Sequence, residues 1–182
     1  GLFKYSLNAT EHIFENPVLI DGTQGQVWKL QFIDGLLFCG HTNGTFIIVG
    51  NKAKKICDVN GAYNFLELEK NSEDVILQST YSALVCFRKE NGNWQYKNEL
   101  VGFIEPAPEI EQDHLGNIWA AHLKKGIFRL KLNTELDSVT FIKLYDKNKG
   151  FFSDKSVRIS KIDKRIVFTD GLLVYTYDDL ND

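Results

Sequence analysis

The chain has 182 residues, of which 43% are hydrophobic and 25% are charged, and its formal net charge at pH 7 is −3. This composition is that of an ordinary folded protein and excludes disordered and collagen-like chains. The negative net charge argues against a nucleic-acid-binding domain, which needs a clustered basic excess. No apolar run approaches the roughly 20 residues that a membrane-spanning helix requires.

A short apolar strand, usually led by glycine, recurs along the whole chain. Its five copies are Gly1–Tyr5, Gly44–Ile48, Ser82–Cys86, Gly126–Leu130 and Gly171–Tyr175. The second and fourth positions after the lead are almost always apolar, whereas the position between them is variable, so each copy predicts a strand with one buried face. We therefore expect Phe46, Leu84, Phe128 and Leu173, which all stand two places after a lead, to face the interior. Copies spaced by roughly 40 residues are typical of β-propeller blades.

Further strands are predicted in each interval between these copies. They are Val27–Ile33 and Leu36–Cys39 in the first interval, Phe65–Leu68 and Val75–Leu77 in the second, Trp94–Lys97, Pro108–Glu111 and Ile118–Ala121 in the third, and Val157–Ser160 and Ile166–Phe168 in the last. Turns such as Asp34-Gly35 supply the positive φ that tight hairpins need. Residues 1–182 are thus predicted to be all-β and to form about four propeller blades of four antiparallel strands.

The two ends of the sequence bear on whether the blades close into a ring. The first and last copies of the repeat would both supply the same strand of a blade, which leaves one of them redundant in a closed ring. We expect an open arc that is part of a larger propeller, and a self-contained four-bladed ring is the alternative. In such an arc, apolar residues at the two ends lack a neighbouring blade and favour self-association: Leu2, Phe3, Tyr5, Leu172, Val174 and Tyr175.

One copy of the repeat carries a specific motif. The segment Asp113–Leu130 contains Asp113, then Gly116-Asn117-Ile118-Trp119, and then Gly126-Ile127-Phe128-Arg129. This segment closely resembles the two-component regulator propeller repeat. The other copies are degraded, with Phe38, Ile76 and Val167 standing where Trp119 does. The residues themselves indicate a structural role: Asp113 accepts hydrogen bonds in the turn, and Trp119 and Phe128 fill the space between blades.

The resemblance implies a function and a location. Proteins with this repeat are typically membrane-bound sensors of Bacteroidetes that regulate polysaccharide use. Their periplasmic propeller is followed by a β-sandwich, a membrane helix, and a histidine kinase or helix-turn-helix output. It implies that this segment is a non-catalytic sensor in the periplasm, within an inner-membrane protein. It also implies a small-molecule or oligosaccharide ligand, neighbouring blades and a β-sandwich as partners, and a possible homodimer, with no nucleic acid bound by this segment.

Four polar residues occupy comparable places just after the second strand of each blade: His41, Ser79, His122 and Asp170. They are expected near one rim of the propeller, where they form a polar ligand surface, a metal site or, most simply, solvated loop residues. A metal site is disfavoured because it needs at least three close ligands and blades diverge. Catalytic, cofactor-binding and metal residues are therefore predicted as none, no cofactor is expected, and ligand-binding residues remain unknown.

Two further sets of residues were weighed for chemistry. The pairs Glu109 and Glu111, or Asp178 and Asp179, have the residue type of a glycosidase acid and base, but two-residue spacing on a strand is more typical of a solvated face. Cys39, Cys57 and Cys86 lack metal-ligand spacing, and the cysteines in apolar strands are expected to be buried and free. The alternatives to a sensor are a protein-interaction scaffold of the WD-repeat kind and a glycan-active propeller enzyme.

Overall fold

The computed structural model describes residues 1–69, 74–151, 153 and 157–178. These residues form antiparallel β-sheets and one short 3₁₀ helix, Lys147–Lys149. The prediction of an all-β fold built from propeller blades is confirmed. The chain divides into two compact units, Gly1–Ala62 and Tyr63–Asp182. Among the described residues, no helix is both long and apolar enough to cross a membrane.

The first unit contains a two-stranded hairpin and one complete blade. The hairpin consists of β1 (Phe3–Asn8) and β2 (Ile13–Leu19). The first blade has its strands side by side in chain order: β3 (Val27–Ile33), β4 (Leu36–His41), β5 (Gly44–Val49) and β6 (Lys52–Cys57). Strands β2 and β6 carry mixed polar and apolar residues, and the alternation in the sequence did not reveal them.

The second unit contains three more blades. The second blade is β7 (Asn64–Glu67), β8 (Val75–Ser79), β9 (Leu84–Glu90) and β10 (Asn93–Glu99), and the third is β11 (Glu109–Gln112), β12 (Ile118–His122), β13 (Gly126–Leu132) and β14 (Val139–Tyr145). The fourth blade has three described strands: β15 (Arg158–Ile162), β16 (Arg165–Thr169) and β17 (Val174–Thr176).

Apolar side chains fill the spaces between successive blades of the second unit. Between the second and third blades, Leu77, Leu84 and Cys86 pack with Ala120 and Phe128. Between the third and fourth blades, the buried core contains Trp119 and Ile127 from one sheet and Ile159, Ile166 and Phe168 from the other. Burial on both faces explains why the middle strands read as continuous apolar runs.

Hydrogen bonds also tie the first strands of neighbouring blades together. The side chain of Asn64 on β7 donates to the carbonyl oxygen of Ile110 on β11, at 3.3 Å. Glu109 on β11 pairs with Arg158 on β15 and accepts a hydrogen bond from the Ile159 backbone N–H. These contacts hold β7, β11 and β15 side by side.

The strand register corrects the predicted repeat in the second blade. The backbone N–H of Thr80 bonds to the carbonyl oxygen of Ala83, and Leu77 lies opposite Cys86. In the third blade, Trp119 lies opposite Arg129 and precedes the turn residue His122 by three places. By this register, the repeat is led by Ala83 instead of Ser82, and Leu77, not Ile76, stands where Trp119 does.

In the fourth blade the predicted repeat is displaced by two residues along the chain. Thr169 lies opposite Val174 and Phe168 lies opposite Tyr175, just as Ala120 lies opposite Phe128 in the third blade. Tyr175 is therefore the counterpart of Phe128, and Gly171 lies in the turn instead of leading the strand. The prediction that Leu173 faces the interior was wrong, since its side chain is 52% exposed. Phe46, Leu84 and Phe128 are buried as predicted.

Candidate functional site

The polar residues after each second strand cap the turn that follows them. Atom Nδ1 of His122 accepts hydrogen bonds from the backbone N–H groups of Lys124 and Lys125, at 2.9 and 3.1 Å. Nδ1 of His41 accepts from Asn43, and Oδ1 of Asp170 accepts from two backbone N–H groups in the same way. In the second blade this role falls to Thr80 Oγ1, which accepts from Ser82 and Ala83, and not to Ser79.

The four polar residues predicted at these places are buried, so the expectation of solvated loop residues was wrong. His41, Ser79, His122 and Asp170 are each no more than 8% exposed. For His41, His122 and Asp170 burial follows from the turn, because a side chain that satisfies turn amides must fold back over them. These contacts make His41, His122 and Asp170 supports of their turns, whereas the buried Oγ of Ser79 has no hydrogen-bond partner among the described residues.

The environment of His122 is polar and charged. Its Nε2 lies 3.5 Å from Oε2 of Glu105, and Lys125 donates to the other oxygen of that carboxylate at 2.6 Å. Burial lowers the pKa of His122 below its usual value, and the Glu105 carboxylate opposes this effect in part. Burial also lowers the pKa of His41. Both imidazoles are consequently neutral near pH 7 and keep Nδ1 free to accept the turn N–H groups.

The remaining residues weighed for chemistry have structural partners. Glu109 is half-buried and is engaged by Arg158 and the Ile159 N–H, so its carboxylate has structural partners. Asp178 lies at the edge of a cleft described below, and Asp179 lies outside the described residues. Within the described part of the chain, no group of three or more His, Cys, Asp or Glu side chains is arranged to hold a metal ion.

The cysteines are free and buried, as predicted for those in apolar strands. Burial raises the pKa of the Cys39 thiol to about 11, and it also raises the pKa of Cys86. A thiol with a raised pKa is a poor nucleophile and a poor metal ligand, because the thiolate is the reactive form. These cysteines pack as small apolar residues.

The motif residue Asp113 is the centre of a compact hydrogen-bond network. Its Oδ1 accepts from the backbone N–H groups of Leu115 and Asn117 at 3.0 and 2.8 Å. Its Oδ2 accepts from the side-chain amide of Asn117 and from the indole N–H of Trp119, both at 2.8 Å. The predicted structural role of Asp113 is confirmed, and the network also orients the Trp119 ring toward the fourth blade.

An aromatic cleft of about 250 Å³ opens between the third and fourth blades. The buried Trp119 is one of its lining residues, with its ring centroid 4.8 Å from Tyr177, 5.0 Å from Phe168 and 5.5 Å from Tyr145. Phe151, from the connection between the two blades, packs edge-on against Tyr175 at 4.8 Å. Lys149, Gly150, Thr176 and Asp178 complete the wall. The result is a concave, ring-lined surface with a few polar groups, which is the usual form of a small-molecule site.

Between the second and third blades, the residues that correspond to the cleft lining form closed core instead of a cleft. By register, Leu77 and Leu100 take the places of Trp119 and Tyr145, and Ala120 takes the place of Phe168. These residues are buried and packed together with Phe103 and Phe128, whose rings make the counterpart of the Phe151–Tyr175 contact. The third and fourth blades therefore replace aliphatic packing with rings that line an open space.

Arg129 adds a cation to this aromatic wall. Its guanidinium carbon lies 5.0 to 5.9 Å from the ring centroids of Tyr177, Phe141, Tyr145 and Trp119. It also donates a hydrogen bond to the hydroxyl of Tyr177. Cations within about 6 Å of aromatic faces are attracted to them, so Arg129 steadies the rings while bringing positive charge to the cleft.

A second, more polar cleft of about 810 Å³ adjoins the first and shares Trp119, Thr176, Tyr177 and Asp178 with it. It is bordered by Asp113, His114 and the turn Asp163-Lys164. Sequence reasoning missed both clefts, because their walls come from residues far apart in the chain. The only available signal was the concentration of rings at Tyr145, Phe151, Tyr175 and Tyr177.

Comparison with family models and with curated proteins finds no relative. No family model matches the chain, and no match to a curated protein was found. The resemblance of Asp113–Leu130 to the two-component regulator propeller repeat accordingly stays a prediction.

Proposed function

We propose that this chain is a non-catalytic ligand-sensing module that binds a carbohydrate-type ligand in the aromatic cleft. The observation that carries the proposal is the cleft itself, where Trp119, Tyr145, Phe151, Tyr175 and Tyr177 surround a space of about 250 Å³. A sugar ring has apolar C–H faces and polar edges. Aromatic side chains with polar groups at the rim suit both parts of such a ring.

The wider role follows the resemblance of the motif segment. We propose that the chain belongs to a membrane-bound regulator of signal transduction or transcription, with the propeller in the periplasm. Ligand binding would alter the packing between the propeller and a β-sandwich and so pass a change to a dimeric output. The cleft lies between two blades, and a ligand there bears directly on how those blades pack.

The carboxylates of Glu109 and Asp113 already have hydrogen-bond partners, which supports a non-catalytic role. A retaining or inverting glycosidase uses two carboxyl groups facing each other across the scissile bond. Glu109 is instead held by Arg158 and the Ile159 N–H, and Asp113 accepts four hydrogen bonds within its own turn. Among the described residues, Asp178 is the acidic residue that lines the aromatic cleft, and one carboxylate does not make the pair.

A glycan-binding screen combined with a hydrolysis assay tests the proposal. We expect the chain to retain at least one class of glycan without cleaving it, and Phe151→Ala to abolish retention. Tyr96→Ala is the matched control, because Tyr96 is a partly exposed ring on β10 outside the cleft. Release of shortened glycans would favour the enzyme alternative. Failure to bind any glycan, or equal loss in both variants, would contradict the proposed site.

A protein-interaction scaffold is the second candidate, and exposed apolar loop residues favour it. Ile104 is 81% exposed and Leu172 is 71% exposed, and both lie in connections between strands. Where such residues form a contiguous patch, they mark protein contacts. Under this alternative, replacing both with Lys weakens binding to a protein partner, whereas under the sensor proposal the same change leaves glycan binding unaltered.

A further inference from the structure

The hairpin β1–β2 has the geometry of the outer half of a blade. Where β2 ends, the backbone N–H of Ile20 donates to the carbonyl oxygen of Leu2 at 2.9 Å. The same bond closes the β9–β10 pair of the second blade, from the N–H of Leu100 to the carbonyl oxygen of Leu84 at 2.8 Å. The next residue along the chain then forms an isolated parallel bridge, at the start of β6 in one case and beside the start of β14 in the other. Strands β1 and β2 therefore correspond to β9 and β10.

The two corresponding strands differ in what lies along their inner edge. Strand β8 pairs with β9 at that edge, whereas β1 pairs with β2 alone among the residues that the structure describes. The carbonyl group of Leu2 points toward β2, and backbone groups alternate in direction along a strand. The N–H and C=O groups of Phe3, Tyr5 and Leu7 consequently point away from β2. A two-stranded hairpin is marginally stable at best, so a further strand along β1 would stabilise it.

The same residues present an apolar face to water. Phe3, Tyr5 and Leu7 are 49%, 51% and 60% exposed, and they share one face because side chains alternate along a strand. On β9, the residues at the places of Phe3 and Tyr5 are Val85 and Phe87, and both are fully buried. The first strand of the chain thus has the side chains of a covered strand without a cover among the described residues.

Strand β6 shows by contrast how an edge strand of this chain is kept from pairing. It is the outer strand of the first blade and carries Lys52, Lys54 and Lys55 among its six residues. Lysines on an edge strand oppose pairing with another chain. Strand β1 has a single lysine, Lys4, within an alternating apolar and polar sequence. Of these two edges, β1 is the one suited to accept another strand.

The sequence of β1 is complementary to itself. In an antiparallel pair centred on Tyr5, Phe3 of one copy lies opposite Leu7 of the other, and Lys4 lies opposite Ser6. Apolar side chains then meet on one face, and no like charges lie opposite each other. One two-fold axis satisfies both edges. The joined sheet has four strands, which is the number in each of the first three blades.

We propose that the free edge of β1 is a dimerisation surface, at which β1 pairs antiparallel with β1 of a second copy of this chain. Main-chain hydrogen bonds at Phe3, Tyr5 and Leu7 hold the two strands together, and the side chains of these residues bury the apolar face. The residues of this surface belong to the first unit, whereas those that line the aromatic cleft belong to the second.

Amide hydrogen exchange of the full chain, measured by NMR over a range of protein concentrations, tests the proposal. Exchange at the amides of Phe3, Tyr5 and Leu7 should slow as the concentration rises, because dimerisation gives these groups partners. The amides of β6 are the control and should not change. Sedimentation velocity on the same samples should show a dimer. A monomer at all concentrations, or exchange at β1 that is independent of concentration, would overturn the proposal.

A cysteine at the two-fold axis tests the register. Tyr5 lies opposite itself, with about 5.5 Å between the two Cα atoms in a hydrogen-bonded pair, a separation that a disulfide spans. The three native cysteines are buried. Tyr5→Cys should therefore give a covalent dimer under mild oxidation, and Lys54→Cys on β6 should stay monomeric. Covalent dimers of both variants, or of neither, would contradict the pairing.

A charge on the apolar face should weaken the dimer. Leu7→Lys removes one apolar contact from each copy, so we expect the dimerisation constant to fall by at least about tenfold. Val49→Lys is the matched control, because Val49 is 61% exposed at the end of β5 in the same unit. Circular dichroism checks that both variants fold. Unchanged dimerisation of Leu7→Lys, or equal weakening by both variants, would count against the β1 surface.

Discussion

Asp113 illustrates how a single carboxylate holds a blade turn and a core ring in place. It accepts four hydrogen bonds, two from backbone N–H groups, one from the Asn117 amide and one from the Trp119 indole. Asp113, Asn117 and Trp119 are all buried. The motif Asp-x-x-Gly-Asn-x-Trp is thus one physical device, in which a buried acceptor satisfies the donors that the turn and the indole bring inside.

Replacing Asp113 with Ala is expected to destabilise the second unit markedly. Each buried donor left without an acceptor costs about 1–3 kcal/mol, and the change orphans several at once. Urea unfolding followed by circular dichroism measures the loss. Asp137→Ala serves as the control, because Asp137 is exposed and its side chain accepts a hydrogen bond from the half-buried Asn133 amide. Similar stability losses in the two variants would argue against the network.

Truncation of Trp119 is expected to cost more than any surface change. Its side chain is 1% exposed and contacts Tyr145, Phe168 and Tyr177, so Trp119→Ala should reduce the free energy of unfolding by roughly 3–5 kcal/mol. Denaturant unfolding tests this prediction. A loss below about 1 kcal/mol, the usual size of a surface substitution, would contradict the packing described for the ring.

The turns after the second strands depend on the protonation of their caps. In the first and third blades the cap is a neutral histidine, whose Nδ1 accepts N–H groups from the turn. Protonation places a hydrogen on Nδ1 and removes this acceptor. Because burial lowers the pKa of both His41 and His122, the folded state resists protonation, whereas the unfolded chain takes up protons at the ordinary pKa.

Stability is therefore expected to fall as the pH drops below about 6.5, the ordinary pKa of histidine, because the unfolded state then binds more protons than the folded state. Thermal unfolding measured between pH 7 and pH 5 tests this direction. His122→Asn keeps an acceptor oxygen for Lys124 and Lys125 but does not titrate in this range, so it should flatten the pH dependence. An unchanged pH profile in this variant would mean that His122 does not contribute.

Glycine at the start of the third strand is required by close approach of the neighbouring strand. A Cβ atom on Gly126 would lie 2.2 Å from the carbonyl oxygen of Tyr145, and the residue has φ +96°. Gly92 also has a positive φ, +77°, but nothing lies within 4 Å of its Cβ position. Gly92→Ala thus isolates the cost of the left-handed backbone, about 1–2 kcal/mol.

Gly126→Ala is expected to destabilise the chain by more than Gly92→Ala, because it adds the steric clash to the same backbone strain. Paired urea titrations of the two variants provide the measurement. Equal losses would indicate that backbone conformation alone selects glycine at the lead of the repeat, and that the strand does not approach closely in solution.

The molecule as a whole carries large apolar side chains on its surface. Phe3, Tyr5, Leu172 and Val174, which the repeat predicted to lack a covering blade, are all exposed, while Leu2 and Tyr175 are half-buried. In the first unit, Phe14 and Phe32 are exposed as well. Exposed large apolar side chains favour association in water where they form a patch.

Self-association is accordingly expected for the isolated 182-residue chain. Sedimentation velocity over a range of concentrations should reveal species larger than a monomer. The double variant Leu172→Lys and Val174→Lys should shift the distribution toward monomer, because charged side chains oppose burial of that surface. A chain that stays monomeric at high concentration, with or without these changes, would contradict the prediction.

The sequence alone was sufficient for the all-β blade fold, for the positions of the middle strands and for the structural role of Asp113, because these depend on local alternation and on turn residues. It was insufficient for the register of the second and fourth blades. Strands such as β8 are buried on both faces, so apolar and polar residues do not alternate along them and the sequence does not show which face each side chain occupies. The aromatic cleft also depended on tertiary structure. Trp119, Phe151 and Tyr177 meet only when two sheets pack face to face, and no local pattern encodes the space left between them.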